Sequence, residues 1–407
     1  MKILLVNDYG AATGGAELQM LMLRHRLRER GHDVRLFASN AELISGSPNL
    51  ADYTCYGTTS RVQVLSQSLN FSAYRSLQAA LNDFQPDIVH VRMFLWQLSP
   101  LILPLLKSYP CLYQTAVYKA ICPIGTNILP NGQACPFEPG VVCLKQGCLT
   151  FQSWISSMTQ QSLWQRWQGR FDRIVALSHG MRRELEQAGV KSVHVIYNGV
   201  LERSARPPLQ SPPTVGYAGR FSSEKGIETL LKAFSLVAQQ IPCARLILAG
   251  KGEDEAALRT LAENLGIAER MTWLGHLSRT ELEQQFNALW VQVVPSLWAE
   301  PFGNVTTEAM MRGTAVVASA VGAQPEILGS AEAAGTLVPP GDVEALASAL
   351  LPILRQRQVA ERMGAIGHTR ALAEFSEAAC VENFLSLYEE ITEERRAEAI
   401  AAQYTAS

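Results

Sequence analysis

Short apolar runs alternate with longer amphipathic stretches along almost the whole chain, and this alternation constrains the fold more than any other feature of the sequence. Runs of four or five apolar residues are typical of strands buried on both faces, and amphipathic stretches such as residues 16–30 are typical of the helices that cover them. The pattern predicts an α/β fold with parallel sheets. The predicted strands are residues 3–6, 34–37, 88–91, 174–177, 215–218, 246–249, 290–294 and 315–318.

The alternation is interrupted once, at residues 203–213, which contain four prolines (Pro207, Pro208, Pro212 and Pro213). Such a stretch predicts a linker between two domains. We therefore expect a Rossmann-like domain over residues 1–202 and a second over 214–379, with a final helix in 380–407 that packs back on the first. Ligands of open α/β sheets bind at the carboxyl ends of the strands, so the expected site is a cleft across which the two parallel sheets face.

Composition excludes several classes of protein. Apolar residues make up 47% and charged residues 18% of the 407 residues, which is typical of a folded protein and excludes disorder. The start, MKILLVNDYG, has too short an apolar run for a secretory signal. The weakly charged stretch 93–106 is broken by Pro100 and Pro104 and is shorter than the roughly 20 residues needed to span a bilayer. We expect a cytoplasmic protein without a nucleic-acid partner.

The small net charge of −2 conceals an asymmetry. Up to Ala205 there are 19 Lys and Arg against 13 Asp and Glu, and from Arg206 onward 16 against 24. Arginines at positions 24, 26, 28, 30 and 35 supply much of the basic excess. Two interpretations stay open: a solvated helix face, or a surface that makes peripheral contact with an anionic acceptor or a membrane.

Three motifs follow predicted strands. The first, DYGAATGGAE, places Gly14 and Gly15 just before a helix, where exposed amides favour an anion, although glycines are common in tight turns without any ligand. The second, GYAGRFSSEKG, ends a strand at Gly219 and Arg220 and places Lys225 at the next helix start, so two cations could hold a diphosphate. Surface charges near a helix start are the alternative.

The third motif, VPSLWAEPFGNVTTEAMMRG, runs from a strand through a loop into a helix. Glu300 lies in the loop and Glu308 in the second helical turn. Asn304 is the expected N-cap, and the amides around Gly303, Val305 and Thr306 are expected to hold phosphate. One carboxylate near a sugar hydroxyl and another near a ribose would contact both ends of a nucleotide sugar.

GGAE, AGRFSSEKG and EPFGNVTTE in combination resemble family 4 of the retaining glycosyltransferases, which adopt the GT-B fold. The resemblance extends over nearly the whole chain and implies an acceptor-binding first domain and a donor-binding second domain. It implies catalytic roles for Glu300, Arg220 and Lys225, with Glu300 contacting the donor sugar. The donor-binding residues that it implies are Gly15, Gly219, Arg220, Lys225, Leu277, Gly303, Asn304, Val305, Thr306 and Glu308.

In that family the nucleotide sugar is a co-substrate, and no metal or other cofactor is expected. Glu308 would contact the ribose, and the segment LGHL, which ends at Leu277, would contact the base. Retention is ascribed to attack on the face that the leaving group departs from, and the leaving phosphate takes the acceptor proton. Assembly of a polysaccharide or glycolipid is the expected setting.

One departure from the family keeps alternatives open. Relatives carry a His-Asp pair where this chain has Ala116 and Val117, whereas His90 is expected to be a buried structural residue. A protein that binds a nucleotide sugar without turnover is one alternative. A sugar epimerase or dehydrogenase is another, although the full G-x-G-x-x-G of such enzymes is absent.

Four cysteines lie close together in the sequence: Cys122, Cys135, Cys143 and Cys148. Their separations of 13, 8 and 5 positions lack the repeated C-x2–4-C pairing of zinc sites, so reduced thiols are expected, with a metal site or a redox-sensitive bridge as alternatives. Trp154, Trp164 and Trp167 follow and are expected to be core residues, with an interfacial surface as the alternative.

Overall fold

The structure, a computed structural model of the chain, describes residues 1–44, 46–60, 63–204, 206–329 and 334–406. The chain divides into two compact units. Unit 1 comprises Met1–Gly199 and Glu377–Ser407, and unit 2 comprises Val200–Ser376. The predicted first domain ends at residue 202, the predicted linker at 213 and the predicted second domain at 379. The predicted final helix ends at Ser407, which lies outside the described residues.

Unit 1 is built on a seven-stranded sheet in which every neighbouring pair is parallel. Its strand order is β3-β2-β1-β4-β5-β6-β7. The strands are β1 (Lys2–Tyr9), β2 (Asp33–Ser39), β3 (Tyr53–Cys55), β4 (Ile88–Val91), β5 (Cys111–Gln114), β6 (Arg173–Ala176) and β7 (Val193–Val195). The helices along this part of the chain are α1 (Gly15–Glu29), α2 (Gln63–Ser66), α3 (Phe71–Phe84), α4 (Val142–Lys145), α5 (Phe151–Trp167) and α6 (His179–Gln187).

Unit 2 repeats this architecture with a six-stranded parallel sheet. Its strand order is β10-β9-β8-β11-β12-β13. The strands are β8 (Thr214–Ala218), β9 (Arg245–Ala249), β10 (Met271–Gly275), β11 (Val291–Val294), β12 (Ala315–Ser319) and β13 (Thr336–Val338). The helices are α7 (Ile227–Gln240), α8 (Glu255–Asn264), α9 (Arg279–Phe286), α10 (Asn304–Met311), α11 (Gln324–Leu328), α12 (Val343–Arg355) and α13 (Arg357–Glu374), and the last helix of the chain, in unit 1, is α14 (Glu377–Ala406).

The α/β class and the parallel sheets predicted from the sequence are confirmed. All eight predicted strands are present, and their ends differ from the prediction by three residues or fewer. The central strands are the easiest to predict because they are buried throughout, as in β4 and β12.

The last helix completes the core of unit 1. Phe384 and Tyr388 of α14 are buried in the same apolar cluster as Ile3 and Leu5 of β1. Because α14 covers the sheet on which β1 lies, the end of the chain is part of the first structural unit. The helix begins at Glu377, three residues before the predicted segment.

The proline-rich segment 203–213 packs on unit 2, with Ala205 outside the described residues. Leu209 is buried in the core of that unit. Nη1 of Arg206 donates to the carbonyl oxygen of Leu289 at 2.7 Å, and Nε1 of Trp290 donates to that of Gln210 at 2.7 Å. The predicted linker is therefore anchored along part of its length.

In each sheet the strand order reverses beside its first strand. In unit 2, β8 lies between β9 and β11, so the crossovers leave β8 in opposite directions. Ligands of doubly wound sheets bind at this reversal, outside the carboxyl ends of the strands. A ligand site is therefore expected at the loops after β8 and β11.

Candidate active site

The loops that follow β8 and β11 are joined at the reversal point. The N–H of Leu297 donates to the carbonyl oxygen of Glu224 at 2.8 Å. Gly226 has a φ of +67°, and a Cβ at this position would lie 2.0 Å from the carbonyl oxygen of Pro295. Only glycine combines this φ with so close an approach, so Gly226 fixes the two loops side by side.

The two loops bring Lys225 and Glu300 into direct contact. Nζ of Lys225 lies 2.6 Å from Oε1 of Glu300, and Oγ of Ser296 donates to the same oxygen at 2.6 Å. The two charged side chains are only 17% and 13% exposed. The ammonium also lies 5.3 Å from the ring centroid of Trp298, within the range of a cation–π interaction. A cation and a carboxylate are thus held together beyond the carboxyl ends of β8 and β11.

Arg220 lies apart from this contact, although the sequence grouped it with Lys225. Its side chain is 74% exposed, and its Nη2 is 3.4 Å from Oε1 of Glu224. Gly219 precedes it and donates its N–H to the carbonyl oxygen of Ala249 at 3.0 Å. Exposed ion pairs contribute little free energy, so an anion could draw the guanidinium from Glu224 at small cost.

The start of α10 differs from the prediction. Gly303 is the N-cap and Asn304 is the first helical residue, so the prediction that Asn304 caps the helix is wrong. A Cβ at position 303 would lie 2.7 Å from Nε2 of Gln324, and this close packing explains glycine at the cap. The N–H of Thr306 already donates to the carbonyl oxygen of Gly303 at 2.9 Å. The amide of Thr306, which the sequence assigns to phosphate, therefore already has an acceptor within the chain.

Glu308 lies in the second turn of α10. Its Oε1 is 3.5 Å from Nη2 of Arg279, and its side chain is 23% exposed. Burial raises the pKa of Glu308, and the charges of Arg279 and Arg312 oppose this rise. Arg279 begins α9 two residues after Leu277. The ion pair thus ties the segment that contains Leu277 to the helix that carries Glu308.

Sequence reasoning missed four side chains at this edge of unit 2: Ser296, Trp298, Arg279 and Gln324. Ser296 and Trp298 stand inside the quoted third motif, so their position gave a usable signal. Gln324 stands in the segment VGAQPEIL, which supports the family resemblance, and Arg279 follows Leu277 by two residues, but neither residue was given a role. Within the described part of the chain, the buried Nε1 of Trp298 and Nε2 of Gln324 have no hydrogen-bond acceptor, so each is a donor that a polar ligand can satisfy.

The glycine turn of unit 1 leads directly into α1, with Gly14 as the N-cap and Gly15 as the first helical residue. A Cβ at Gly14 would lie 2.6 Å from Oε2 of Glu17. Burial raises the pKa of that carboxyl group. The amide of Gly15, which the sequence assigns to phosphate, therefore starts a helix whose first turn already holds a carboxyl group.

His90 is fully buried, as predicted for a structural residue. Its Nδ1 is 2.6 Å from the hydroxyl oxygen of Tyr388, and burial lowers the pKa of the imidazole to about 3. Ala116 and Val117 follow β5. Lys119, two residues after Val117, is buried, which lowers the pKa of its ammonium to about 8. Its Nζ donates to the carbonyl oxygen of Pro123.

The four clustered cysteines line one small cavity of about 20 Å³ in unit 1. All four are free thiols. Burial raises the pKa of Cys148, and the other three thiols add to this shift. Across the described residues, no set of three or more His, Cys, Asp or Glu side chains could hold a metal ion.

The basic excess of unit 1 is partly compensated by ion pairs. Four arginines of residues 24–30 have acidic partners: Arg24 and Arg28 with Asp52 at 2.5 and 3.5 Å, Arg26 with Glu377 at 2.8 Å, and Arg30 with Glu382 at 2.8 Å. Trp164 is 1% exposed and packs in the core, whereas Trp154 and Trp167 are half-buried. Over the ranges that the structure describes, no helix has the length and apolarity needed to cross a bilayer.

Comparisons with known proteins agree with this geometry. Residues 14–199 match the family model described as a glycosyl transferase 4-like domain, and residues 202–370 match the model described as glycosyl transferases group 1. A phosphatidyl-myo-inositol mannosyltransferase of Mycobacterium leprae is 32% identical over 239 residues, which is 57% of this chain and 62% of the relative. The chain spans about half the length of the curated relatives that it matches, between 38% and 62%.

Solved structures share the fold over nearly the whole chain. A sucrose-phosphate synthase of Thermosynechococcus elongatus superposes with a TM-score of 0.72 at 24% identity, covering 97% of this chain and 100% of that one. Anabaena HepE in complex with UDP and glucose has a TM-score of 0.65 at 19% identity, covering 96% and 99%.

Fold and motifs together define a glycosyltransferase of the two-domain GT-B class. Within that class, the two matched models, over residues 14–199 and 202–370, agree with family 4, the family that its motifs indicated. The boundary between the two family models, at residues 199–202, coincides with the boundary between the two units. This membership removes the grounds for the epimerase and dehydrogenase alternatives.

Proposed function

We propose that the protein transfers a sugar from a nucleoside-diphosphate sugar to an acceptor hydroxyl, with retention of anomeric configuration and without a metal ion. The observation that carries the proposal is the 2.6 Å contact between Lys225 and Glu300, formed where the loops after β8 and β11 meet. A cation, a carboxylate and the first-turn amides of α10 stand at one sheet edge. These groups match the diphosphate and hydroxyl groups of such a donor.

In the proposed reaction the bond between the anomeric carbon and the diphosphate oxygen breaks, and its electron pair stays on that oxygen. Lys225, Arg220 and the α10 amides stabilise the charge as it develops. The acceptor oxygen forms the new bond on the face from which the diphosphate departs. Its proton passes to the departing phosphate. Because protein donors neutralise the leaving group, no bound cation is required.

The other site residues would contact the sugar, the ribose and the base of the donor. Glu300 accepts hydrogen bonds from Lys225 and Ser296 through Oε1, so its second oxygen can accept from a sugar hydroxyl. Glu308 would accept from the ribose hydroxyls and Leu277 would contact the base. Gly219 would allow the backbone to approach the donor, since its φ of +158° is accessible chiefly to glycine.

We take a UDP-hexose as the first donor to test. HepE, which shares the fold, is solved with UDP and glucose, and the Mycobacterium leprae relative is named as a mannosyltransferase, so a mannose donor comes second. The name of that relative also contains a phosphoinositide, which supports a lipid-linked or sugar acceptor in polysaccharide or glycolipid assembly.

Peripheral contact with a membrane belongs to the same proposal. A lipid surface would have to compete with Asp52, Glu377 and Glu382 for the α1 arginines. Exposed apolar side chains near the start of α5 offer a second route, since Phe151 is 64% and Ile155 is 49% exposed. Sedimentation with anionic liposomes at low and high salt separates the two, because only the arginine route is screened by salt.

A binding protein without turnover is the second candidate, and Ala116 and Val117 favour it because they replace the His-Asp pair that the resemblance implies. The test is incubation of the full chain with a UDP-, GDP- and ADP-sugar panel in a chelating buffer, followed by NMR of the anomeric carbon of the product. An α-linked product from an α-linked donor supports retention without a metal. An inverted product, or turnover only after metal is restored, contradicts the proposal. Donor binding without any transfer or hydrolysis, over an acceptor panel, supports the second candidate.

A further inference from the structure

We propose that a pocket in unit 1 binds a neutral saccharide, separately from the donor site of unit 2. The pocket has a volume of about 450 Å³, within the ~300–1,000 Å³ typical of small-molecule sites. Its walls are formed mainly by the segment after β5, residues 120–139, and by the C-terminal ends of α5 and α6. All of these belong to unit 1, so the proposal does not depend on the transferase activity.

The pocket lies toward the amino ends of β6 and β7. Gln168, which lines it, stands five residues before β6 begins at Arg173, and Val190 stands three residues before β7 begins at Val193. The substrates of open α/β sheets bind beyond the opposite, carboxyl ends of the strands. The pocket is therefore a place where a saccharide is held and not where a sugar is transferred.

Side-chain amides dominate the polar lining of the pocket. They belong to Asn127, Gln161, Gln165, Gln168 and Gln187. An amide both donates and accepts hydrogen bonds, and so does a sugar hydroxyl. Nε2 of Gln161 donates to the carbonyl oxygen of Lys119 at 3.0 Å, and Nδ2 of Asn127 donates to Oε2 of Glu184 at 3.2 Å. These two bonds fix the positions of two amides in the wall.

The other three amides are available to a ligand. Within the part of the chain that the structure describes, no hydrogen bond holds the side chains of Gln165, Gln168 and Gln187, and the first and last of these are exposed. A ligand that pairs with them breaks no bond inside the protein. An apolar ligand would cover the same amides and leave them unpaired, which costs free energy. The lining thus favours a ligand that is rich in hydroxyl groups.

The charge of the lining disfavours an anionic ligand. The pocket contains the carboxyl groups of Glu138 and Glu184, and among its described lining residues there is no Lys, Arg or His. A phosphate would meet no cation and would be repelled by both carboxylates, whereas a hydroxyl can donate to either. Phe137 also lines the pocket and is 44% exposed, so its ring offers an apolar surface to the C–H face of a sugar. A neutral saccharide satisfies all of these groups.

The test is calorimetric titration and saturation-transfer NMR of the full chain with neutral tetrasaccharides of glucose, galactose and mannose, both α- and β-linked. We expect at least one to bind, with a Kd on the order of 1 mM. Gln165→Ala and Gln187→Ala each remove an exposed amide of the lining, so each should weaken this binding by about 3- to 10-fold. Gln152→Ala, at an exposed position of α5 outside the pocket, is the matched control and should bind as the wild type does.

Two further measurements separate the pocket from the donor site. Saturating UDP or GDP should leave the saccharide affinity unchanged, and so should Lys225→Ala. A phosphorylated form of the bound saccharide should bind more weakly than the neutral form, because the carboxylates of the lining repel it. Absence of binding across the whole panel overturns the proposal. So does displacement by a nucleotide, tighter binding of the phosphorylated form, or an affinity that both pocket variants leave unchanged.

Discussion

Nζ of Lys225 lies 2.6 Å from Oε1 of Glu300, although 75 positions separate the two residues in the chain. Each residue lies in the segment that follows a neighbouring strand of the same parallel sheet, β8 for Lys225 and β11 for Glu300. A third group, Oγ of Ser296, donates to the same carboxylate oxygen. The contact therefore depends on the strand order, which is the link between the fold of unit 2 and its proposed chemistry.

Lys225→Ala removes the least exposed cation of the proposed diphosphate site. We expect turnover to fall by about 10²–10³, the typical loss for one donor to a developing charge, with the fold retained. Initial rates with the donor found in the panel, together with circular dichroism, check this. Lys232→Ala is the matched control, because it breaks the 2.6 Å pair with Glu228 on the exposed face of α7. Equal rates in both variants contradict the assignment.

Glu308→Gln tests the ribose contact. The amide keeps the shape of the side chain but loses the charge that a hydroxyl donor favours, so donor affinity should weaken by roughly 10- to 100-fold. Isothermal titration with the nucleotide diphosphate alone measures the effect without turnover. Glu255→Gln, at a solvent-facing pair with Arg259, should bind as the wild type does. Unchanged affinity in Glu308→Gln would remove the residue from the site.

Gly226→Ala tests the contact between the two loops. Both Gly226 and Gly266 have left-handed φ values, +67° and +65°, so alanine costs about 1–2 kcal/mol at either position. A Cβ at 226 also meets the carbonyl oxygen of Pro295, whereas nothing lies within 4 Å at 266. Overpacking adds about 1–3 kcal/mol to the loss of unfolding free energy. Urea unfolding of the two variants should show this difference, and equal losses would contradict the close approach.

His90 should give the protein a measurable sensitivity to acid. Burial lowers the pKa of His90 from 6.5 to about 3, so between these values the unfolded chain binds the proton and the folded chain does not. The free energy of unfolding should therefore fall as pH decreases from about 6.5 to 3, by up to ~1.4 kcal/mol per pH unit from this group.

His90→Gln isolates that contribution. Asp8 acts with the opposite sign, because burial raises the pKa of its carboxyl group to about 6, and the variant leaves it in place. The difference between wild type and variant, from urea unfolding at several pH values, should shrink steadily on acidification. A constant difference would mean that His90 is not held neutral in the folded state.

Much of the fold could be predicted because the central strands are buried on both faces, which leaves uninterrupted apolar runs. Five strands were not predicted: β3, β5, β7, β10 and β13. Four of them, all except β5, lie at a sheet edge, and most of their residues are half-buried or exposed, so they carry no such run. β5 is buried throughout, but its sequence CLYQ ends in a glutamine and is too short an apolar run to stand out.

The site was predictable as a set of motifs and not as a geometry. The sequence placed Arg220 and Lys225 together, but Lys225 is fastened by the turn at Gly226 and Arg220 remains exposed. Residue propensity favours Asn304 as the N-cap, whereas the close packing of Gln324 explains why Gly303 occupies that position. Arg279 meets Glu308 only through the three-dimensional fold. Local rules gave the residues, and long-range packing decided their positions.

The most direct test of the central claim is thermal unfolding of the full chain with each nucleotide sugar of the panel, run in parallel on the wild type, Lys225→Ala and Glu308→Gln. One donor at 100 times its Kd should stabilise the wild type by about 2.7 kcal/mol, and at the same concentration it should stabilise each variant far less. No stabilisation by any nucleotide sugar, or equal stabilisation of all three proteins, would contradict a donor site at the Lys225–Glu300 edge of unit 2.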